Sequence, residues 1–518
     1  MSDISSSDIV SEFRAAAVFF GSKGVEEVGR AFAASHRLEL IEHRDVGKFS
    51  NGEIKLEIKQ NIRGRDITYF APNSGNIYDD MMETLITLDA LHRHGAKKIA
   101  VFLPDELIKF NSKAIKDSPI TEAMFAFFIK MFHEVTTIRD HKGQKVNFER
   151  IKFPKIPLEP GERNVIARGH SAKKLAGEIS AELDGMQVVD WRRKSSLAGT
   201  NVIALASSAG NPNQAVLETA AMIYNLRQRG AAFINVVLPL WHYARQERTD
   251  NRRVPISAAL IGKLLNVFRP NCILTQDLHQ AAIQGLGRET HVDPIYSTAL
   301  IAAKIAKLVK DNKVNPADIL IGAVDRGAIG RATQLRRQLK ENYGIDISPD
   351  IPTVDKRRDP NGTSEVKDIS HKDILPGKIM FFVDDMTDSG GTFKGAAEAA
   401  KVAGVKTVIG FVTHVVSAVN PDTKMLNIAK LETSGALDAL IGLDTVADLT
   451  PEMHKLHKID IMSNSNWLAQ NIREWAWWLK TSTEDASLKT LNDTATPPAP
   501  DLRPRVEAHL RSILKLAA

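Results

Sequence analysis

Short apolar runs alternate with amphipathic stretches along most of this chain, from about Ala17 to Trp478. Lys98–Leu103, Phe233–Leu238, Cys272–Thr275, Ile319–Val324, Lys378–Val383 and Thr407–Val412 are such runs, and they read as buried strands. The amphipathic stretches between them read as helices. This alternation predicts an α/β fold of mostly parallel sheets flanked by helices.

The pattern repeats. Met82-Glu83-Thr84 returns as Leu217-Glu218-Thr219, Arg93-His94-Gly95-Ala96 as Gln228-Arg229-Gly230-Ala231, and Val101-Phe102-Leu103-Pro104 as Val236-Val237-Leu238-Pro239. Pro119-Ile120-Thr121 returns as Pro255-Ile256-Ser257, and Thr137-Ile138-Arg139-Asp140 parallels Leu274-Thr275-Gln276-Asp277. The offset drifts only from 217 − 82 = 135 to 274 − 137 = 137. Two copies of one domain are expected, at about 17–157 and 162–297. A third unit follows at 298–480, and then a tail at 481–518. The tail opens rich in Ser, Thr, Asp and Pro and closes on a short amphipathic helix at Arg505–Leu516. A flexible tail with a frayed, exposed end is the expectation.

Composition narrows the functional classes. The 518 residues suit about three domains. Lys plus Arg exceeds Asp plus Glu by 68 − 62 = 6, which suits phosphorylated small substrates and is too weak and dispersed for nucleic acid. Cys272 is the one cysteine, so neither a disulfide framework nor a Cys-rich metal site is expected. The N-terminus lacks a secretory pattern, and no apolar run approaches the roughly 20 residues of a membrane span. A soluble cytoplasmic protein is expected.

The sharpest chemical signal is Val383-Asp384-Asp385-Met386-Thr387-Asp388-Ser389-Gly390-Gly391-Thr392. It follows an apolar strand and precedes a helix. A strand, a Gly-containing loop and a helix start offer free backbone N–H groups and a favourable dipole to an anion. The two carboxylates at the strand end suit a sugar diol, directly or through a divalent cation. One loop would thus grip a sugar phosphate at both ends. The pattern resembles the phosphoribosyl-pyrophosphate loop shared by phosphoribosyltransferases and ribose-phosphate pyrophosphokinases.

Further segments resemble the pyrophosphokinases alone. These are Tyr243-Ala244-Arg245-Gln246-Glu247-Arg248, Asp277-Leu278-His279, Ile283-Gln284-Gly285, Val292-Asp293-Pro294-Ile295-Tyr296 and Asp355-Lys356-Arg357-Arg358. The resemblance covers about residues 17–475 and implies tandem phosphoribosyltransferase-like domains. It implies a transferase that moves the terminal diphosphate of ATP to the 1-hydroxyl of ribose 5-phosphate with Mg²⁺, as a homo-oligomer serving nucleotide biosynthesis. Lys356 and Arg358 would clamp the transferred group as catalytic residues. Asp384 and Asp385 would meet the ribose hydroxyls, and Asp388, Ser389, Gly390, Gly391 and Thr392 would hold the 5-phosphate. Arg245, Gln246 and Asp250 would contact ATP, while His279 and Asp325 would hold Mg²⁺. Two departures stand out. Ser389-Gly390 replaces the commoner Thr-Ala or Thr-Cys, and Arg326-Gly327-Ala328 replaces a small residue or His followed by Gly-Gly.

The two copies carry complementary losses. The family's ATP site also uses a Phe-x-Asp/Asn-x-Glu hairpin from a neighbouring subunit. The first copy has it as Phe49-Ser50-Asn51-Gly52-Glu53, where Phe49 would stack on adenine and Asn51 and Glu53 would read its edge. The second copy is shorter there: Gly21 to Gly64 is 43 positions but Gly169 to Gly199 is 30. Conversely, the first copy has Ile108-Lys109-Phe110-Asn111 and Asp140-His141-Lys142 where the second has Tyr243–Gln246 and Asp277–His279. Division of labour is the expectation, with hairpin donation left open between one chain and two. A non-catalytic regulatory subunit and a phosphoribosyltransferase are the competing readings.

Overall fold

The computed structural model describes residues 16–20, 25–41, 46–58, 60–104, 107, 122–140, 144–146, 163–169, 172–192, 195–206, 210–249, 254–287, 290–358, 364–419, 424–446, 451–475 and 499–517. Three parallel sheets dominate it. The first has the order β2-β1-β5-β6-β7, with β1 (Ala16–Phe20), β2 (Glu39–Ile41), β5 (Asp66–Phe70), β6 (Lys98–Phe102) and β7 (Val135–Arg139). A small antiparallel hairpin, β3 (Gly47–Lys48) and β4 (Ile54–Lys55), stands off it.

The second sheet has the order β13-β12-β11-β10-β8-β9. Its strands are β8 (Arg163–Arg168), β9 (Val188–Asp190), β10 (Thr200–Leu205), β11 (Phe233–Leu238), β12 (Cys272–Gln276) and β13 (His291–Ile295). The third has the order β14-β17-β18-β19-β20, from β14 (Ile319–Ala323), β17 (Ile379–Thr387), β18 (Thr407–Val415), β19 (Ala439–Leu443) and β20 (Ile459–Met462). A separate antiparallel pair, β15 (Val354–Arg358) and β16 (Ser364–Ile369), precedes β17. β10, β14, β18 and β19 are buried at every position, as strands covered on both faces must be.

The sequence repeat appears as repeated local physics. Helix α1 (Ile77–Arg93) of the first unit is N-capped by Asn76, and helix α2 (Pro212–Gln228) of the second by Asn211, 135 positions on. Thr84 and Thr219 each bond back to the carbonyl four residues earlier. α1 packs against α2 and against α3 (Ser257–Asn266). One hydrophobic core therefore runs from Leu85 and Ile86 through Leu217 and Ile223 to Leu260. The two units are joined by a shared interior.

The third unit adds α4 (Thr298–Asn312), α5 (Ile329–Tyr343), α6 (Gly391–Val402) and α7 (Ser465–Trp475). The C-terminal helix α8 (Pro504–Ala517) corrects the expectation of a frayed end. Val506, Leu510 and Leu514 are buried in the third unit's core, because their spacing puts them on one face against α4 and β18. Arg503 also pairs with the buried Asp460 at 2.8 Å. Residues 481–498 lie outside the described residues. Among the described residues, no helix is long and apolar enough to cross a membrane.

Candidate active site

The sugar-phosphate loop forms where β17 hands over to α6. Gly390 caps the helix with φ +74°, and a Cβ there would lie 2.2 Å from Leu431 Cδ1. Only glycine meets both conditions, so the departure at this position sustains the turn. Gly391 and Thr392 lie in the first helical turn, whose N–H groups have no side-chain cap. Ser389 is half-buried beside them.

Asp384 and Asp385 occupy the C-terminal end of β17. Asp385 lies 2.7 Å from His279 Nδ1 and 3.7 Å from Arg331, which also approaches Asp384 at 3.9 Å. Burial acts against the Asp385 charge, but His279 and Arg331 hold its carboxyl below the usual range. Asp384 is pushed well up, first by burial and then by the neighbouring Asp385 carboxylate, with Asp325 adding to the effect. The Arg331 guanidinium, despite its burial, is held charged by Asp385, Asp277, Asp384 and Asp325 together. Arg331 escaped the sequence reading. Its one signal was an arginine in the helix that opens just after Asp325.

The segment carrying His279 is anchored from both sides. Asp277 is buried at φ +39°, and its Oδ2 accepts from Ser297 N at 3.0 Å and Thr413 Oγ1 at 2.6 Å. Gln276 bonds Ser297 and Asn464, and its carbonyl lies 3.0 Å from His414 Nε2. This network stitches the second sheet to the third and fixes His279 against Asp385. Asp325 accepts from Gly327 N at 3.0 Å and shapes the turn after β14. The bulky Arg326 turns outward to pair with Asp355 at 3.3 Å, one residue before Lys356. Lys356 and Arg358 lie in β15; their side chains fall outside the described residues, as does Asp250.

The hairpin of the first unit reaches the second. The Tyr243 backbone N–H donates to the buried Glu53 carboxylate. Ile54 N donates to Tyr243 Oη at 3.1 Å, and Gln246 Nε2 to Ile54 O at 3.4 Å. Burial raises the Glu53 carboxyl although the Tyr243 N–H, Asn51 and Arg245 oppose it. Gly52 sits at φ +87° with Pro212 Cδ only 3.1 Å from the place of a Cβ. Asp79 of the first unit accepts from Asn211 and Asn213 of the second at 3.0 and 2.6 Å, and pairs with Lys48. Ser50 then donates to Asp388 in the sugar-phosphate loop. Phe49 and Arg245 stay exposed at this junction. The hairpin thus touches both other units, all within one chain.

The donor set suits a hard divalent cation. Three carboxylates, Asp325, Asp384 and Asp385, act on one another's charge beside His279, and the Asp388 Oδ1 atom is buried without a hydrogen-bond partner. Such an excess of oxygen donors and negative charge fits Mg²⁺.

The sequence twice matches the family described as the N-terminal domain of ribose phosphate pyrophosphokinase, at residues 17–132 and 165–268. Residues 291–430 match the phosphoribosyl transferase domain. A ribose-phosphate pyrophosphokinase of Haemophilus influenzae is 30% identical over 327 residues, which are 62% of this chain and 92% of the relative. The chain belongs to the ribose-phosphate pyrophosphokinase family. A ribose-phosphate pyrophosphokinase 1 of Streptococcus pneumoniae is 33% identical over 58% of this chain and 89% of its own length. A crystal structure of phosphoribosylpyrophosphate synthetase from Mycobacterium smegmatis is 26% identical, with a TM-score of 0.50 over 61% of this chain and 99% of that one. Relatives are spanned almost whole by under two-thirds of this chain.

Proposed function

We propose that the chain is a ribose-phosphate diphosphokinase that transfers the terminal diphosphate of ATP to C1 of ribose 5-phosphate, giving 5-phosphoribosyl 1-diphosphate and AMP. The observation that carries this reading is the convergence of three units in one chain. The Phe49–Glu53 hairpin of 17–157 seats on the Tyr243–Gln246 turn of 162–297 and on Asp388 of 298–480. Phe49, Asn51, Arg245, Gln246 and Asp250 take ATP, while the buried Glu53, expected from the sequence to read the adenine edge, seats the hairpin on Tyr243 instead. Asp384 and Asp385 take the ribose hydroxyls, and Asp388 to Thr392 take the 5-phosphate. His279 and Asp325 hold Mg²⁺, which neutralises phosphate charge when bound. Lys356 and Arg358 stabilise the charge that develops on the transferred group. The hairpin acts within its own chain, so assembly into a homo-oligomer is not needed to complete the site.

Incubation with ATP, Mg²⁺ and ribose 5-phosphate tests the reading. Equimolar AMP and phosphoribosyl diphosphate are expected. Absence of AMP from folded protein would make the chain a regulatory relative. Consumption of phosphoribosyl diphosphate with a nucleobase would make it a phosphoribosyltransferase.

A further inference from the structure

We propose that His92, His133 and Glu134 form a binding site for a zinc-class divalent metal ion in the first unit, built from residues assigned to neither ATP nor ribose 5-phosphate. His92 lies in the last turn of α1. His133 and Glu134 lie in the tight turn that leads into β7, where Val135 N donates to Phe132 O at 3.0 Å. The Glu134 carbonyl accepts from Ile99 N at 2.7 Å, which fixes the turn to β6. His92 Nδ1 and His133 Nε2 converge on one carboxylate oxygen, Glu134 Oε1, at 2.7 and 2.9 Å. All three ligand atoms lie within 4.8 Å of one another. A tetrahedral ion at about 2.0–2.1 Å from each donor needs separations of roughly 3.3 Å, so an opening of about half an ångström admits it. Two imidazoles and one carboxylate are a zinc donor set, with water as fourth ligand.

Two further observations point to a missing cation. The other carboxylate oxygen, Glu134 Oε2, is buried with no hydrogen-bond partner. The second unit supplies a cation at the equivalent place. Offsets of 227 − 92 = 135 and 271 − 134 = 137 put Arg227 where the first unit has His92 and Asn271 where it has Glu134. There the buried Arg227 donates to Asn271 Oδ1 at 2.7 Å and to Arg269 O at 2.6 Å. A guanidinium thus ties that helix end to the strand start. The first unit has exchanged it for two imidazoles around a carboxylate. The neighbouring Arg93 does not replace it, because Arg93 is paired with Asp89. A bound metal would restore the tie and brace α1, which carries the interface with the second unit.

The test uses the full chain, stripped by chelator and titrated with Co²⁺ in excess Mg²⁺, which occupies oxygen-donor sites. One equivalent with the visible bands of four-coordinate Co²⁺ is expected, displaced by Zn²⁺ and not by more Mg²⁺. His133→Ala and Glu134→Gln should each weaken that equivalent at least about tenfold. The His133 side chain is 81% exposed, so its loss leaves the fold intact. Zinc should also raise the melting temperature of the parent and not of His133→Ala. Absence of the four-coordinate bands in folded parent protein, or equal titrations in parent and both variants, would overturn the site.

Discussion

Arg331 shows what the residue scale adds to the motifs. It lies within 4 Å of Asp384 and Asp385 and also donates to the Leu278 carbonyl at 3.4 Å, so one side chain spans the sugar loop and the Asp-Leu-His segment. Without it Asp385 would keep His279, and Asp384 would lose the cation that approaches it. Breaking a buried pair by removing one partner costs about 3–5 kcal/mol. Arg331→Met is expected to destabilise the fold by that order in urea melts and to weaken ribose 5-phosphate more than ATP. Equal loss for both substrates would make Arg331 a general structural residue. The carboxylates were legible because a double Asp before a Gly-containing loop has a chemical reading by itself. Arg331 was not, since an arginine in a helix acquires meaning only when the fold aims it. Ser50 was invisible for the same reason: its partner, Asp388, is 338 residues away.

At the scale of elements, apolar runs announced the strands, and the Phe49–Glu53 spacing announced the hairpin. What the spacing did not carry is the seat. Glu53 looked like a group that reads a ligand edge, yet its carboxylate accepts the Tyr243 N–H and is buried. The exposed Phe49 is the side chain free to meet a base. Phe49→Ala should therefore raise KM for ATP about tenfold, on the scale of one lost stacking contact, and leave the melting curve nearly unchanged. Glu53→Ala should lower both affinity and stability. Helix α8 was legible as amphipathic, but an amphipathic helix does not name its partner, and the third unit supplies one. At the end of β19, Asp444 offers a pH test. Burial, with the Glu178 charge adding to it, outweighs the bonds from Asn464 and Ser463 and the Lys174 charge, and pushes the carboxyl up to about 6 from 3.8. The folded state then binds the proton more tightly than the unfolded one. This contribution is fully present below 3.8 and is lost as pH rises through about 6. Asp444→Asn should be the more stable protein at pH 8, by up to about 3 kcal/mol, with the gap closing near pH 4. A constant gap across that range would show that the carboxyl does not titrate there.

For the whole molecule the duplication decides the logic of the site. The first unit keeps a hairpin, the second keeps the turn that receives it, and their interior is one hydrophobic core. The complementary losses rest on the sequence, since residues 108–111 and 141–142 of the first unit lie outside the described residues. The direction of donation was not readable there, because sequence carries no distance between residues 49 and 243. In the structure the first unit seats on the second of its own chain through the buried Glu53 and the Asp79 bonds to Asn211 and Asn213. Exchange of the hairpin between chains would have to open that core. This separates two inactive proteins that a simple activity assay would not distinguish. Lys356→Ala should lose on the order of a hundredfold or more in kcat, as expected for one stabiliser of transition-state charge, with its hairpin intact. A Phe49→Ala/Glu53→Ala double variant should lose ATP binding with its Lys356 intact. Donation between chains would let a mixture rebuild some complete sites. Donation within the chain predicts that the mixed activity equals the sum of the two separate activities at every ratio, even after co-expression allows subunits to assemble together. Activity above that sum, scaling with the product of the two concentrations, would place the hairpin's working seat on a neighbouring chain.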